Sequence, residues 1–227
     1  MRAWYNAPVD SPPAAKPSRY ISALSFRRLT PLFDPFLKWF MHEARFRRAL
    51  IEQARFAAGQ RVLDLGCGTG TLTVLIKQAE PRAVVIGLDG DAEILKLAQR
   101  KAARARVALD WNLGFAFKLP YRAQAFDRVA LSLVLHHLTT ENKARALAEI
   151  FRALKPGGEL HVVDFGAPDR ASARVISRWA RRLEETADLI DGKLPAMLQR
   201  AGFAEPRVTR EWMSIVGTLA LYAAKKV

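Results

Sequence analysis

The sequence predicts an α/β fold, with a mostly parallel sheet and helices packed on both of its faces. Three observations point there. From Arg61 onward, short apolar runs of strand length alternate with helix-period segments. The first run, Val62–Leu65, passes straight into glycines at alternate positions, Gly66, Gly68 and Gly70, and then into a helix. Half of the 227 residues are hydrophobic and 26% are charged, the balance of a packed chain rather than a disordered one.

Taken in order, residues 1–20 are rich in Pro, Ala and Ser and are expected to form a flexible tail. Residues 21–57 are expected to form a helical lid. There Asp34-Pro35 reads as an N-cap followed by proline at the first helical position. Phe33, Phe36, Leu37, Phe40, Met41 and Ala44 follow at three- and four-residue spacing, with Arg45, Arg47 and Arg48 behind them. Such a helix either covers the main domain or lies on a membrane surface.

Residues 58–227 make the main domain. Strands are predicted at Val62–Leu65, Ala83–Leu88, Arg106–Leu109, Phe126–Leu131 and Glu159–Phe165. Helices are predicted between them at Thr71–Gln78, Ala92–Ala103 and Glu141–Leu154, the last stopped by Pro156-Gly157-Gly158. After Gly166 an amphipathic segment carries Val175, Ile176, Trp179, Leu183 and Ile190 on one side. A short helix, Leu194–Ala201, ends at Gly202. Two final strands, Arg207–Trp212 and Gly217–Ala224, can pair antiparallel.

The net charge of +14 favours acidic partners on Coulomb grounds, such as phosphates or an anionic membrane. Arginine outnumbers lysine 25 to 11, and a compositional bias accounts for the charge equally well. Basic residues do not interleave with aromatics as a stacking platform, which disfavours nucleic acid as a partner. A single cysteine, Cys67, excludes an internal disulfide and a multi-cysteine zinc site, and no metal is expected. The charge-free stretch Trp212–Ala224 is shorter than a membrane span. Pro8, Pro12, Pro13 and Pro17 interrupt the start before an apolar run develops, so no secretory signal is expected. The expected place is the cytoplasm, with peripheral contact at the inner membrane face as the alternative.

Val62 to Gly70 is the most informative stretch. Glycine permits positive φ and lets a ligand approach the backbone. The dinucleotide fingerprint G-x-G-x-x-G needs a third glycine where Thr71 stands, so the spacing here is G-x-G-x-G. A phosphate-binding loop would need Gly-Lys-Ser/Thr, which is absent. Asp89 closes the second strand, and a carboxylate there can accept both ribose hydroxyls of an adenosine group lying across the strand ends.

These residues carry a resemblance. The chain resembles the class I S-adenosylmethionine-dependent methyltransferases, in the branch of the ubiquinone/menaquinone-biosynthesis and other small-molecule enzymes. Four segments carry it: Val62–Gly70, Gly87–Asp89, Leu119-Pro120-Tyr121 through Phe126-Asp127, and Leu154-Lys155-Pro156-Gly157-Gly158. The resemblance implies a Rossmann-like seven-stranded sheet in the order 3-2-1-4-5-7-6, with strand seven antiparallel, and S-adenosyl-L-methionine as cofactor. It implies that Gly66, Gly68 and Gly70 shape the loop under the methionine part, with Cys67 between them. Asp64 would organise that loop and the cofactor amino group. Asp89 with Gly90 would hold the ribose, Ile94 would flank the adenine, and Ser132 and Leu133 would line the sulfonium side. Where relatives have Gly-Asp-Ala ahead of Leu-Pro, this chain has Gly114-Phe115-Ala116. Phe115 cannot accept the adenine hydrogen bond and is expected, beside Ala116, to pack on the adenine face.

Methyl transfer from a sulfonium is an in-line displacement that mainly needs alignment and exclusion of water. An Asn/Asp-Pro-Pro-Tyr/Phe motif after the fourth strand would mark amino-group methylation, and Ser132-Leu133-Val134-Leu135 stands there instead. His136 and His137 follow. Either one is a general base toward a phenol, enol or acidic C–H, or one caps the next helix and the other is structural. Phe36, Trp39, Phe40 and Trp179, with His136, are expected to line an apolar acceptor pocket suited to a quinone-like, polyketide-like or lipid molecule. The alternatives are a phospholipid N-methyltransferase at a membrane surface, and an RNA-binding methyltransferase or inactive adaptor.

Overall fold

The computed structural model describes residues 43–168, 185–214 and 217–227. Phe36, Trp39, Phe40 and Trp179 lie outside the described residues, as do the tail and most of the expected lid.

In chain order the elements are α1 (Glu43–Ala54), β1 (Arg61–Leu65), α2 (Thr71–Ala79), β2 (Val84–Asp89), α3 (Ala92–Arg104) and β3 (Asp110–Leu113). Then come β4 (Phe126–Ser132), a 3-10 turn (Leu135–His137), α4 (Thr140–Ala153) and β5 (Leu154–Phe165). The chain ends with α5 (Ala187–Ile190), α6 (Leu194–Arg200), β6 (Ala204–Ser214) and β7 (Gly217–Lys225). The strands form one seven-stranded sheet in the order β3-β2-β1-β4-β5-β7-β6. β1 to β5 are parallel to one another, and β7 runs antiparallel between β5 and β6. Both faces of its central strands are apolar: Val62, Leu63, Leu65, Val129, Ala130 and Leu131 are all fully buried, as parallel strands covered by helices require.

The third strand begins later than expected. Arg106–Leu109 is not a strand; β3 is Asp110–Leu113, paired with Ile86–Asp89. The end of α3 uses up the intervening residues. Arg106 sits at φ +54, and the Val107 amide bonds back to the Ala102 carbonyl, which closes the helix with a left-handed turn. In α1 the buried stripe is Phe46, Ala49, Leu50 and Ala54. Ala44, expected on the apolar face, is exposed, because it lies two positions ahead of Phe46 and so on the opposite side of the helix.

Two of the family-like segments meet at the end of the sheet where β1 and β4 begin. Asp127 accepts the Arg61 amide at 2.8 Å and the Lys155 ammonium at 2.7 Å. Gly157, at φ +76, turns the chain so that its amide reaches the Lys226 carbonyl at 2.7 Å. These residues brace the sheet at the end opposite to the strand termini that carry the site.

Candidate active site

A cavity of about 350 Å³ opens at the C-terminal ends of β1, β2 and β4, where an α/β sheet presents its loops. Asp64, Gly66, Cys67, Gly68, Asp89, Gly90, Ile94, Phe115, Ala116, Ser132 and Leu133 all lie on its wall. Gly70 does not. A Cβ at Gly70 would meet Trp111 Cη2 at 2.6 Å and Ala98 Cβ at 2.9 Å, so its missing side chain makes room for β3 and α3. Gly68 is the converse case, since a Cβ there would meet nothing within 4 Å. Its backbone faces the open cavity.

Asp64, at 1% exposure, points from the buried stretch of β1, and Thr73 Oγ1 from α2 donates to it at 2.6 Å. Burial raises its carboxyl to about pH 6, against the opposing pull of the Thr73 hydroxyl and the nearby Arg47 charge. Asp89 ends β2 and turns back on the neighbouring loop. Its Oδ2 accepts the Gly68 amide at 2.8 Å and its Oδ1 the Asp91 amide at 3.0 Å. Burial raises this carboxyl also, although both amides favour the charged form. Burial pushes the Cys67 thiol well above its ordinary value, with Asp64 and Asp89 adding to the shift, so Cys67 is no ready nucleophile.

Past β3, Phe115 and Phe117 stack with ring centroids 5.3 Å apart and planes 9° apart, and both line the cavity. The Phe115–Lys118 turn carrying them precedes Leu119-Pro120-Tyr121. That segment is tied to α4: Glu149 accepts the Leu119 amide at 2.8 Å, and Arg152 donates to the Tyr121 carbonyl at 2.8 Å.

The two histidines divide. His137 lies on the cavity wall, whereas His136 is buried behind it with Nδ1 2.9 Å from Asp164 Oδ1. Neither caps α4; Thr139 does, its hydroxyl accepting the Asn142 amide. Asp164, near the end of β5, also takes the Val134 and Leu135 amides on Oδ2, at 3.1 and 2.8 Å. Burial alone would raise its carboxyl, but the His136 ring and the Phe165 and Leu135 amides hold it below the ordinary value. The strand–loop junction before it is strained, with Leu133 at φ +60 and its amide on the Val163 carbonyl at 2.8 Å. Residues absent from the sequence expectation also line the cavity: Arg47 of α1, Thr69, Leu72, Phe117, Val134 and Leu138. Asp164 had a visible signal, a carboxylate inside the apolar run Val162-Val163-Asp164-Phe165; the others did not.

Residues 62–158 match a family described as "Methyltransferase domain". A demethylmenaquinone methyltransferase of Lactiplantibacillus plantarum is 39% identical over 137 residues, which is 59% of this chain and 57% of that one. The demethylmenaquinone methyltransferase of Thermus thermophilus is 30% identical over 207 residues, 87% of this chain and 92% of that one. Among solved structures, the YcgJ protein of Bacillus subtilis matches with a TM-score of 0.67, over 82% of this chain and 98% of that one. At 20% identity that likeness is one of fold. A seven-stranded sheet in this order, a glycine loop beneath an open cavity, and one relative, 30% identical, matched over 92% of its length lead to one statement: the chain belongs to the class I S-adenosylmethionine-dependent methyltransferases, in the branch that includes the demethylmenaquinone enzymes.

Proposed function

We propose that this enzyme transfers a methyl group from S-adenosylmethionine to an apolar, quinone-like small molecule. The observation that carries the cofactor reading is the cradle itself. Gly68 leaves its side of the cavity open, and Asp64 and Asp89 stand on the same wall as two separately held carboxylates. The residues fit the cofactor's parts. Asp89 would accept the ribose hydroxyls, Asp64 would hold the ammonium group, and Ile94 and Phe115 would flank the adenine. The bound cofactor supplies an electrophilic methyl on a sulfonium with a neutral thioether as leaving group.

The residues after β4 then do the remaining work. Leu133, Val134 and Leu138 give the cavity an apolar wall that excludes water from a displacement reaction. His137 takes the proton released by a phenolic or enolic acceptor, while His136, fixed by Asp164, holds the turn that presents it. The names of the relatives support a quinone-like ring: two are demethylmenaquinone methyltransferases, and a third, from Synechocystis, is a 2-phytyl-1,4-naphtoquinone methyltransferase. No helix among the described residues is long and apolar enough to cross a membrane.

The test is transfer of labelled methyl from the cofactor to reduced naphthoquinones, to benzoquinols and to phosphatidylethanolamine vesicles, with the products identified by mass. Label on the quinol ring is the expected result. Label on the phospholipid amine alone would replace this reading with that of a phospholipid N-methyltransferase.

A further inference from the structure

Away from the cavity, the C-terminal end of α1 is tied to the sheet by polar groups, and a buried histidine stands at their centre. His161 of β5 is 2% exposed. Its Nδ1 lies 3.0 Å from Nε2 of Gln53 in α1. The same Nε2 donates to the Tyr222 carbonyl of β7 at 3.1 Å, and Gln53 Oε1 accepts the Thr209 hydroxyl. Thr209 is free to do this because β6 bulges there: Val208 pairs with Tyr222 and Arg210 with Leu221, which leaves Thr209 unmatched on β7. One residue on, the Ala54 carbonyl accepts Arg128 Nε of β4 at 3.4 Å, and that Nε is 3.5 Å from Glu159 Oε2. The same Glu159 oxygen stands 3.3 Å from His161 Nε2.

These partners fix where the ring carries its proton. A carbonyl cannot donate, so Tyr222 sets the Gln53 amide with its NH2 group toward His161. Nδ1 must then accept, and the neutral ring holds its hydrogen on Nε2, on the Glu159 side. Protonation adds a hydrogen at Nδ1, where it meets another donor. We propose that His161 is an acid-released clasp: charging its ring expels the Gln53 amide and loosens the end of α1 from β5, β6 and β7. Gln53 is half-buried, so water can take its place at Nδ1. Burial lowers the His161 value from the ordinary 6.5; Glu159 raises it, and Arg128 and Arg207 lower it. Lys225 of β7 acts on Glu159, and α1 presents the neutral Gln53. The contribution of the neutral ring is therefore complete above pH 6.5 and is lost as pH falls through the lower folded value.

The test uses the full chain without ligand. Nitrogen-15 spectra of the imidazoles at pH 7.5 should show His161, assigned by its loss in His161→Leu, neutral with its hydrogen on Nε2. Between pH 7.5 and pH 5, hydrogen exchange at the Gln53, Ala54 and Arg55 amides, corrected for the intrinsic rate, should rise about tenfold or more, while amides of β1 and β4 change less than about threefold. His161→Leu should abolish the rise. Gln53→Met removes the donor to the neutral ring, so His161 should titrate about half a pH unit higher or more. A hydrogen on Nδ1 at pH 7.5 would overturn the proposal, as would wild-type exchange that acid leaves unchanged or a rise that persists in His161→Leu. An equal rise in β1 and β4 would replace local release with general acid unfolding. If His161→Leu does not fold, the Gln53→Met titration decides, and an unshifted His161 refutes the clasp.

Discussion

A Cβ on Gly70 would lie 2.6 Å from Cη2 of Trp111, although Gly70 follows β1 and Trp111 sits in β3, two strands away. The same ring stands 2.6 Å from where a Cβ on Gly87 of β2 would be. One indole thus fills the space left by two glycines. Gly70→Ala should destabilise the protein by about 2–5 kcal/mol, the sum of left-handed strain at φ +75 and overpacking. Trp111→Leu added to it should restore about 1 kcal/mol or more beyond additivity. Urea unfolding of the four proteins of the cycle checks this, and additive costs would show that the ring is not the obstacle.

Gly68→Ala should behave in the opposite way. The added methyl meets no atom within 4 Å, leaving only the cost of φ +53, about 1–2 kcal/mol. Because Gly68 lies on the cavity wall, cofactor affinity should fall by tenfold or more. A variant that binds as well as wild type would place the ligand elsewhere.

The Asp64 carboxyl is held at about pH 6 by burial, so ionised Asp64 costs the folded state stability at neutral pH. Its folded value lies above the ordinary 3.8. Its favourable contribution is therefore complete below that unfolded value and is lost as pH rises through 6. Asp64→Asn should raise the stability of the ligand-free protein at pH 7.5 by about 1–3 kcal/mol, and the gain should fade between pH 6 and pH 4. Cofactor affinity should drop in the same variant. Melting curves across this range test the sign, and a variant less stable at pH 7.5 would contradict it.

Phe115→Ala should raise the cofactor dissociation constant about tenfold, because the ring contributes stacking and burial beside the adenine. Acceptor selectivity should not change. A shift in the acceptor Michaelis constant with unchanged cofactor binding would turn the ring toward the substrate.

Asp164 is buried and serves the His136 ring and the amides of Val134, Leu135 and Phe165. Asp164→Ala should cost about 3–5 kcal/mol, since it strands several buried donors. The carboxyl is held below its ordinary value in the fold, so its contribution is present above about pH 4 and is lost as pH falls through the folded value. The gap between variant and wild type should therefore close only in strong acid. A gap that already closes by pH 6 would show that the Asp164 carboxyl is not held below its ordinary value.

How far the sequence reached depends on the range of the forces involved. The strand alternation and the glycine loop are local patterns, and the sheet and its cavity followed from them. Gly70 looks the same in sequence as Gly66 and Gly68, and only its distant neighbour Trp111 sets it apart. β3 was misplaced because one left-handed residue, Arg106, ended the helix in a way that composition does not signal. Arg47 was one of three arginines in a row of four residues, and nothing local distinguishes the one that turns into the cavity.

Two of the loops that line the cavity are each fastened by a carboxylate from the strand beside their own. Asp89 of β2 holds Gly68 after β1, and Asp164 of β5 holds Val134 and Leu135 after β4. A transplant of either loop into a foreign sheet would leave its fastening behind. The smallest graft able to carry either loop in its shape is therefore a pair of adjacent strands, and recombination breakpoints placed between β1 and β2, or between β4 and β5, would sever what the loop sequences alone conceal.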